Sequence, residues 1–165
     1  AIAGSFGATG QTGRFIPGGG IAMAAGVSDF LSGAAEALTP DADPHHWDVI
    51  EGQGSLFHPA YASVTLGLIH GSQPDAMVLC HAAGRVVIDE YEDFAVPDLR
   101  ECIARYEQVA ALTQPASSVI GVSLNTQGLS DAAAQQICQE TSEACELPCL
   151  DPMRHNLDAM LAALT

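Results

Sequence analysis

The sequence predicts an α/β fold: a doubly wound, mostly parallel sheet with helices on both faces. Three observations carry this. The runs Ala76-Met77-Val78-Leu79-Cys80 and Ser118-Val119-Ile120-Gly121-Val122-Ser123-Leu124 lack the alternation of half-exposed strands, so they read as strands buried on both faces. Between such runs lie segments whose apolar residues recur at three and four, the helical period. The connections are short, so strand and helix alternate as in βαβ units. At 165 residues the chain is read as a single α/β domain spanning 1–165, long enough for one core.

In chain order, residues 1–9 read as the weak end of a strand. Gly7-Ala8-Thr9-Gly10-Gln11-Thr12-Gly13-Arg14 and Gly18-Gly19-Gly20 are too glycine-rich for an element interior and are expected to be loop. The loop is not a phosphate-binding GxxxxGK[ST], because Gly4 to Gly10 is one residue too long and Gln11 stands where lysine is required. Its N–H groups, with Gln11 and Thr12, can still hold a carboxylate or phosphate; the alternative is a flexible surface loop. Ile21–Leu38 is expected to be a helix with Val27, Phe30, Leu31, Ala34, Ala35 and Leu38 on one face.

Trp47 to Ile50 then reads as a short buried strand delivering Glu51 to a turn, Gly52-Gln53-Gly54-Ser55, with a helix from Ala60 to His70 beyond. Ligands in open α/β sheets bind at the carboxyl ends of strands, which makes Glu51 a candidate; its alternative is a solvated turn residue. His81 closes the run that begins at Ala76 and shares the layer of Glu51 if the two strands are parallel. Residues 82–97, with Asp89-Glu90-Tyr91-Glu92-Asp93, look irregular, a lid or a solvated excursion. Asp98 is an N-cap for a helix through Leu112, and Ser130 or Asp131 caps another to about Glu146. Leu147–Leu150 is a short fourth strand, and Asn156–Leu164 a final helix.

The net charge is −15, with five arginines and no lysine. A chain so balanced has no basic patch for phosphates, so nucleic acid is not an expected partner. No apolar run reaches the length of a membrane span. The chain begins Ala1-Ile2-Ala3-Gly4 without a signal-peptide pattern. Five cysteines, with no C-x2-C spacing, are expected as reduced thiols of a cytoplasmic protein. Cys80, inside an apolar run, is read as a small core hydrophobe rather than a nucleophile. His45, His46, His70 and His155 are read as solvent-facing or turn residues.

Val49-Ile50-Glu51-Gly52-Gln53-Gly54, an apolar strand entering Glu-Gly-x-Gly, resembles the dethiobiotin-synthetase-like branch of P-loop proteins. A closer resemblance runs through nearly the whole chain. Thr9-Gly10-Gln11-Thr12-Gly13, Asp29-Phe30-Leu31-Ser32-Gly33-Ala34, Trp47 to Pro59, Leu66-Gly67-Leu68-Ile69-His70-Gly71-Ser72, Val78-Leu79-Cys80-His81 and Gly121-Val122-Ser123-Leu124-Asn125-Thr126 are similar to the D-glutamate N-acyltransferase family, formerly a domain of unknown function.

That resemblance implies a P-loop NTPase-like fold lacking the P-loop segment, with this chain the C-terminal part of a longer one. It implies either a homo-oligomer or a missing N-terminal, P-loop-bearing segment as partner. The implied reaction moves an acetyl group from acetyl-CoA to the amine of an acidic D-amino acid such as D-glutamate. His81 or His58 would be the base, and Glu51 would take a proton or hold the ammonium. Backbone N–H groups of Gly52, Gln53, Gly54 and Ser55 would bind the oxyanion. Thr9, Gly10, Gln11, Thr12, Gly13 and Arg14 would bind substrate or cofactor, with Arg85 a further donor and Asn125 near a nucleotide base. The alternatives are an ATP-dependent ligase or kinase with Glu51 on magnesium, or a non-catalytic half of a two-part subunit.

Overall fold

The structure, a computed structural model, describes residues 30–43, 45–52 and 54–164, together with the backbone of residues 8–9 and 21–22. It divides into two compact units, Ala1–Gln73 with Leu112–Gln114, and Pro74–Ala111 with Pro115–Thr165.

In the first unit, β1 (Ala8–Thr9) pairs antiparallel with β2 (Ile21–Ala22). Ile21 and Ala22, expected in a helix, are therefore extended, while Leu31–Leu38 of the expected span is helical. Strand pairing has overridden a helical pattern that Ala-rich sequence makes easy to write. Two helices follow, α1 (Leu31–Leu38) and α2 (Ala62–Ser72). Leu31, Ala35, Val64 and Leu68 bury against each other, with Ala34 and Ile50 at the margin. Phe30, expected on this face, is instead exposed.

The close approach of these helices depends on two glycines one turn apart on α2. A Cβ on Gly67 would stand 2.7 Å from the Cβ of Leu31, and one on Gly71 would stand 2.0 Å from the carbonyl oxygen of Ser32. Residues four apart share a helix face, so both glycines present bare backbone to α1.

Trp47–Ile50 is not a strand. Trp47 is 67% exposed and Val49 65%, and only Ile50 reaches the helix cluster. Among the described residues nothing pairs with this stretch, and an apolar sequence without a neighbouring strand has no ladder to join.

The second unit holds the parallel sheet. Strands β3 (Ala76–Ala82), β6 (Ser118–Asn125) and β7 (Cys149–Leu150) pair in the order β3-β6-β7, both pairings parallel. Between β3 and β6 come a two-stranded antiparallel hairpin, β4 (Val87–Ile88) with β5 (Tyr91–Ala95), and helix α3 (Leu99–Ala110). The hairpin replaces the irregular excursion expected over residues 82–97; Glu90, at φ +63°, takes the left-handed position in its turn. Glu92 to Ala95 are all exposed, so β5 has no buried face to give an alternating pattern. Helix α4 (Asp131–Cys145) links β6 to β7, and α5 (Asp158–Leu161) closes the chain. Asp98 and Ser130 cap α3 and α4 as expected, accepting from the N–H groups of Arg100 and Ala133.

The register between β3 and β6 slips by one: Met77 faces Val119, but Val78 faces Gly121. Ile120 is thus the extra residue of a bulge. The slip lets Val119 and Val122, three apart, both pack with Ile103 of α3, alongside Met77 and Leu79. On the opposite face of β6, a Cβ on Gly121 would meet Met160 of α5 at 3.0 Å. Helices therefore cover both faces of the central strand. The edge strand is less buried than its apolar run implies: Val78 is 42% exposed and Cys80 is exposed. Cys80 is not a core residue, because on β3 it points away from the face that Met77 and Leu79 bury.

Among the described residues no helix is long and apolar enough to cross a membrane. Gly71→Ala should destabilise the protein by roughly 2–3 kcal/mol, since the added methyl meets rigid backbone and overpacking has no cheap escape. Denaturant unfolding of the variant against wild type measures this; an unchanged midpoint would disprove the close helix contact.

Candidate functional site

The expected site residues are divided between the two units. In the first, Glu51 and Gly52 are exposed. Gly52 has no atom within 4 Å of where a Cβ would lie, so space does not require glycine there. Gly54 is required twice: its φ is +62°, and a Cβ would come 2.8 Å from that of Tyr61. This glycine lets the turn rest on the start of α2. Ser55 closes the turn, its Oγ accepting from the N–H of Phe57 at 3.0 Å and its carbonyl from that of His58 at 3.1 Å.

His58 caps the approach to α2. Its Nδ1 accepts from the N–H groups of Ala60 at 3.1 Å and Tyr61 at 3.3 Å, and its ring lies 4.7 Å from that of Tyr61. Two donors facing Nδ1 assign the proton of the neutral ring to Nε2. In that tautomer His58 offers a ligand a donor, not a lone pair. Thr9 lies in β1. Gly10, Gln11, Thr12, Gly13, Arg14 and Gln53 lie outside the described residues.

In the second unit, parallel pairing brings three strand ends to one edge. His81 pairs in register with Leu124, and Ala82 with Asn125. His81 shares the face of Met77 and Leu79 and is half-buried. Burial, and then the charge of Arg85, hold its pKa below the usual 6.5, so the ring is neutral at pH 7. The edge is stitched by Ala83, whose N–H donates to the carbonyl of Asn125 at 2.9 Å. Asn125 is exposed, its Oδ1 accepting from the Gln127 N–H at 2.9 Å.

After Ala82 the chain folds back, the N–H of Arg85 donating to the Ala82 carbonyl at 3.1 Å, with Gly84 at φ +78°. Between this turn and the β4–β5 hairpin lies a depression of about 580 Å³, open to solvent, lined in part by Arg85, Asp89, Glu90 and Glu92.

The strongest polar cluster is one that sequence reasoning missed. Asp151, directly after β7, is 3% exposed, and Thr126, directly after β6, is 0% exposed. Asp151 Oδ2 accepts from the Thr126 N–H at 3.1 Å and from the Thr126 hydroxyl, while Oδ1 accepts from the Met153 N–H at 2.9 Å. Arg154 Nε stands 3.6 Å from Oδ2 and its other nitrogens reach Asp131 and the Leu129 carbonyl. His155, half-buried in the same turn, accepts from the Asp151 N–H through Nδ1 at 3.1 Å. The signal is the strand end: β7 runs into Asp151 as β3 runs toward His81, but a strand of two residues leaves little pattern to mark it.

The Thr126 hydroxyl above all, then the Met153 N–H, hold the Asp151 carboxyl below its ordinary 3.8 despite burial. Folded, it binds its proton more weakly than unfolded. Its contribution is complete above the unfolded value and is lost as pH falls through the folded one.

None of the five cysteines is in a disulfide. Burial above all pushes Cys102 up to about 11 and Cys149 to about 12, and raises Cys138 and Cys145, so none of these four is a ready thiolate. Among the described residues no three His, Cys, Asp or Glu side chains form a metal-ligand group.

The family model for the DUF1611 C-terminal P-loop domain, described as a domain of unknown function, matches residues 2–161. A Pseudoalteromonas protein named D-glutamate N-acetyltransferase is 46% identical over 96% of this chain and 48% of its own length. Another of that name, from Tritonibacter scottomollicae, is 42% identical over 99% of this chain and 49% of its own. The crystal structure of a DUF1611 family protein from Anabaena variabilis superposes with a TM-score of 0.83 at 36% identity, over 99% of this chain and 46% of that one. The chain spans about half the length of the curated relatives it matches.

Asp151→Asn should cost about 1–3 kcal/mol at pH 7, because Arg154 loses one of its two carboxylate partners and the Thr126 donors lose part of theirs. The difference from wild type should shrink as pH falls through the Asp151 carboxyl's folded value. Denaturant titrations stepped down in pH measure it, and a gap independent of pH would remove the ionised carboxylate from the explanation.

Proposed function

Because this chain belongs to the DUF1611 family, we propose that it forms part of an N-acyltransferase acting on the amine of an acidic D-amino acid, with acetyl-CoA as donor. The observation that carries this reading is the pair of curated relatives named D-glutamate N-acetyltransferase, matched along nearly the whole chain. The chemistry needs a free amine. A base takes one proton from the ammonium, the nitrogen attacks the thioester carbonyl, the C–N bond forms and the C–S bond breaks. The nitrogen gives up a second proton as the amide forms, and the leaving thiolate takes one up.

His81 is the base that best fits. It sits at the carboxyl end of a parallel strand, is half-buried, and is neutral at the working pH. His58 fits less well, because its Nδ1 lone pair is already engaged by two backbone donors. Glu51 is retained as a group to hold the ammonium. Backbone N–H groups from Gly52 to Ser55 are retained as oxyanion donors, and the Thr9–Arg14 segment and Asn125 as substrate or cofactor contacts.

A second reading rests on the description of the matching family model as a P-loop domain. In it, nucleotide and magnesium bind near Glu51 and the reaction is ATP-dependent. The remaining half of the relatives' length, or a second copy of the chain, would complete the site in either case.

The test is acetylation of D-glutamate by the full chain, followed by mass, with His81→Gln and Glu51→Gln beside wild type. Loss of the base should lower kcat about 10²–10⁴-fold. The wild-type rate should rise with pH through an acid limb below 6.5, the direction of the His81 shift, and that limb should vanish in His81→Gln. Turnover that requires ATP and magnesium would favour the second reading. An unaltered pH profile in His81→Gln would exclude His81 as base.

A further inference from the structure

We propose that Arg85 receives the side-chain carboxylate of an acidic amino acid, and that Asp89 holds the guanidinium until that carboxylate displaces it; this rests on the acyl-acceptor reading above. The chain carries −15 and only five cations, so its general field repels a dicarboxylate, and binding one calls for a local positive group. In the second unit, Arg154 is taken by Asp131, Asp151 and the Leu129 carbonyl. Arg100 and Arg105 stand on α3, where Arg105 lies 4.0 Å from Glu101 one turn away. Arg85 is placed differently. It stands on the turn that leaves β3 beyond His81 and lines the open depression.

Its ion pair with Asp89 is easily exchanged. Arg85 and Asp89 are 3.9 Å apart, with side chains 47% and 75% exposed. A pair so long and so wet contributes little, whereas a guanidinium closing on a substrate carboxylate gains two parallel hydrogen bonds. Asp89 thus acts as a weak internal stand-in for the substrate. Glu90 and Glu92 line the same depression. Their charge suits the ammonium of a zwitterionic acceptor and opposes a dicarboxylate that lacks an amine. The surface therefore selects for an amino dicarboxylate over either a neutral amino acid or a plain diacid.

The experiment compares Arg85→Gln, Arg85→Lys and Asp89→Asn with wild type in the full chain. It uses D-glutamate, its uncharged isostere D-glutamine, and glutarate. Arg85→Gln should raise KM for D-glutamate about tenfold or more, the loss of a charge-assisted hydrogen bond. The preference for D-glutamate over D-glutamine should collapse, with kcat moving much less. Arg85→Lys should recover part of the preference. Asp89→Asn should lower KM for D-glutamate about two- to fivefold, the release of a surface pair.

Calorimetric binding of D-glutamate separates this inference from the transferase reading. Wild type that binds D-glutamate more tightly than glutarate, with binding lost in Arg85→Gln, supports the site even if no amine is acetylated; that result would overturn the transferase reading alone. Acetylation whose KM and preference are untouched in Arg85→Gln overturns the site and leaves the transferase reading standing. Wild type that binds no D-glutamate, or Asp89→Asn that raises KM, also overturns it.

Discussion

Parallel pairing on β6 is the constraint from which the second unit's geometry follows. An antiparallel partner would send one strand end to each side, whereas two parallel partners send all three to the same edge. His81, Asn125, Thr126 and Asp151 are assembled there by strand direction alone, although 70 residues of sequence separate the first from the last. Two hydrogen-bonded links then fix the edge. Ala83 to Asn125 ties the exit of β3 to that of β6, and Thr126 to Asp151 ties β6 to β7. The Ile120 bulge serves the same end, since in a regular strand Val119 and Val122, three apart, would lie on opposite faces and α3 would lose one of its anchors.

The ionisable groups at this edge divide by how completely they are satisfied. Asp151 is buried and surrounded by donors, and moving a proton onto it would dismantle the turn it organises. It positions backbone and is poorly suited to chemistry. His81 has the opposite character: it is half-buried and shifted toward its neutral form. The same contrast holds in the first unit between His58, occupied as a cap, and Glu51, exposed on its turn. A group engaged in holding a loop together has little freedom to bind, which is the physical ground for ranking His81 above His58.

Much of this was legible in the amino-acid order. The unbroken runs at Ala76 and Ser118 are strands because they are buried or paired on a sheet whose neighbours run parallel. Asp98 and Ser130 are caps because a short side chain can satisfy the first free N–H groups of a helix. What escaped were features decided by contacts distant in sequence. Ile21 and Ala22 carry no sign that Thr9 and Ala8 will pair with them. Trp47 and Val49 look like a core strand, and only the absence of a described partner makes them exposed. Asp151 was passed over because a two-residue strand leaves almost no pattern. Gly67 and Gly71 were visible as letters, yet their purpose depends on where α1 lies.

Cys80 carries a practical consequence. It is exposed on the uncovered face of β3, one residue before His81, while the other four thiols are buried or half-buried with raised pKa values. A maleimide at neutral pH would therefore mark one position without mutagenesis. Because neighbouring residues on a strand point to opposite faces, the label would sit behind the sheet edge rather than in front of it. A fluorophore there could report movement of the β3–β4 turn while leaving the imidazole's side clear.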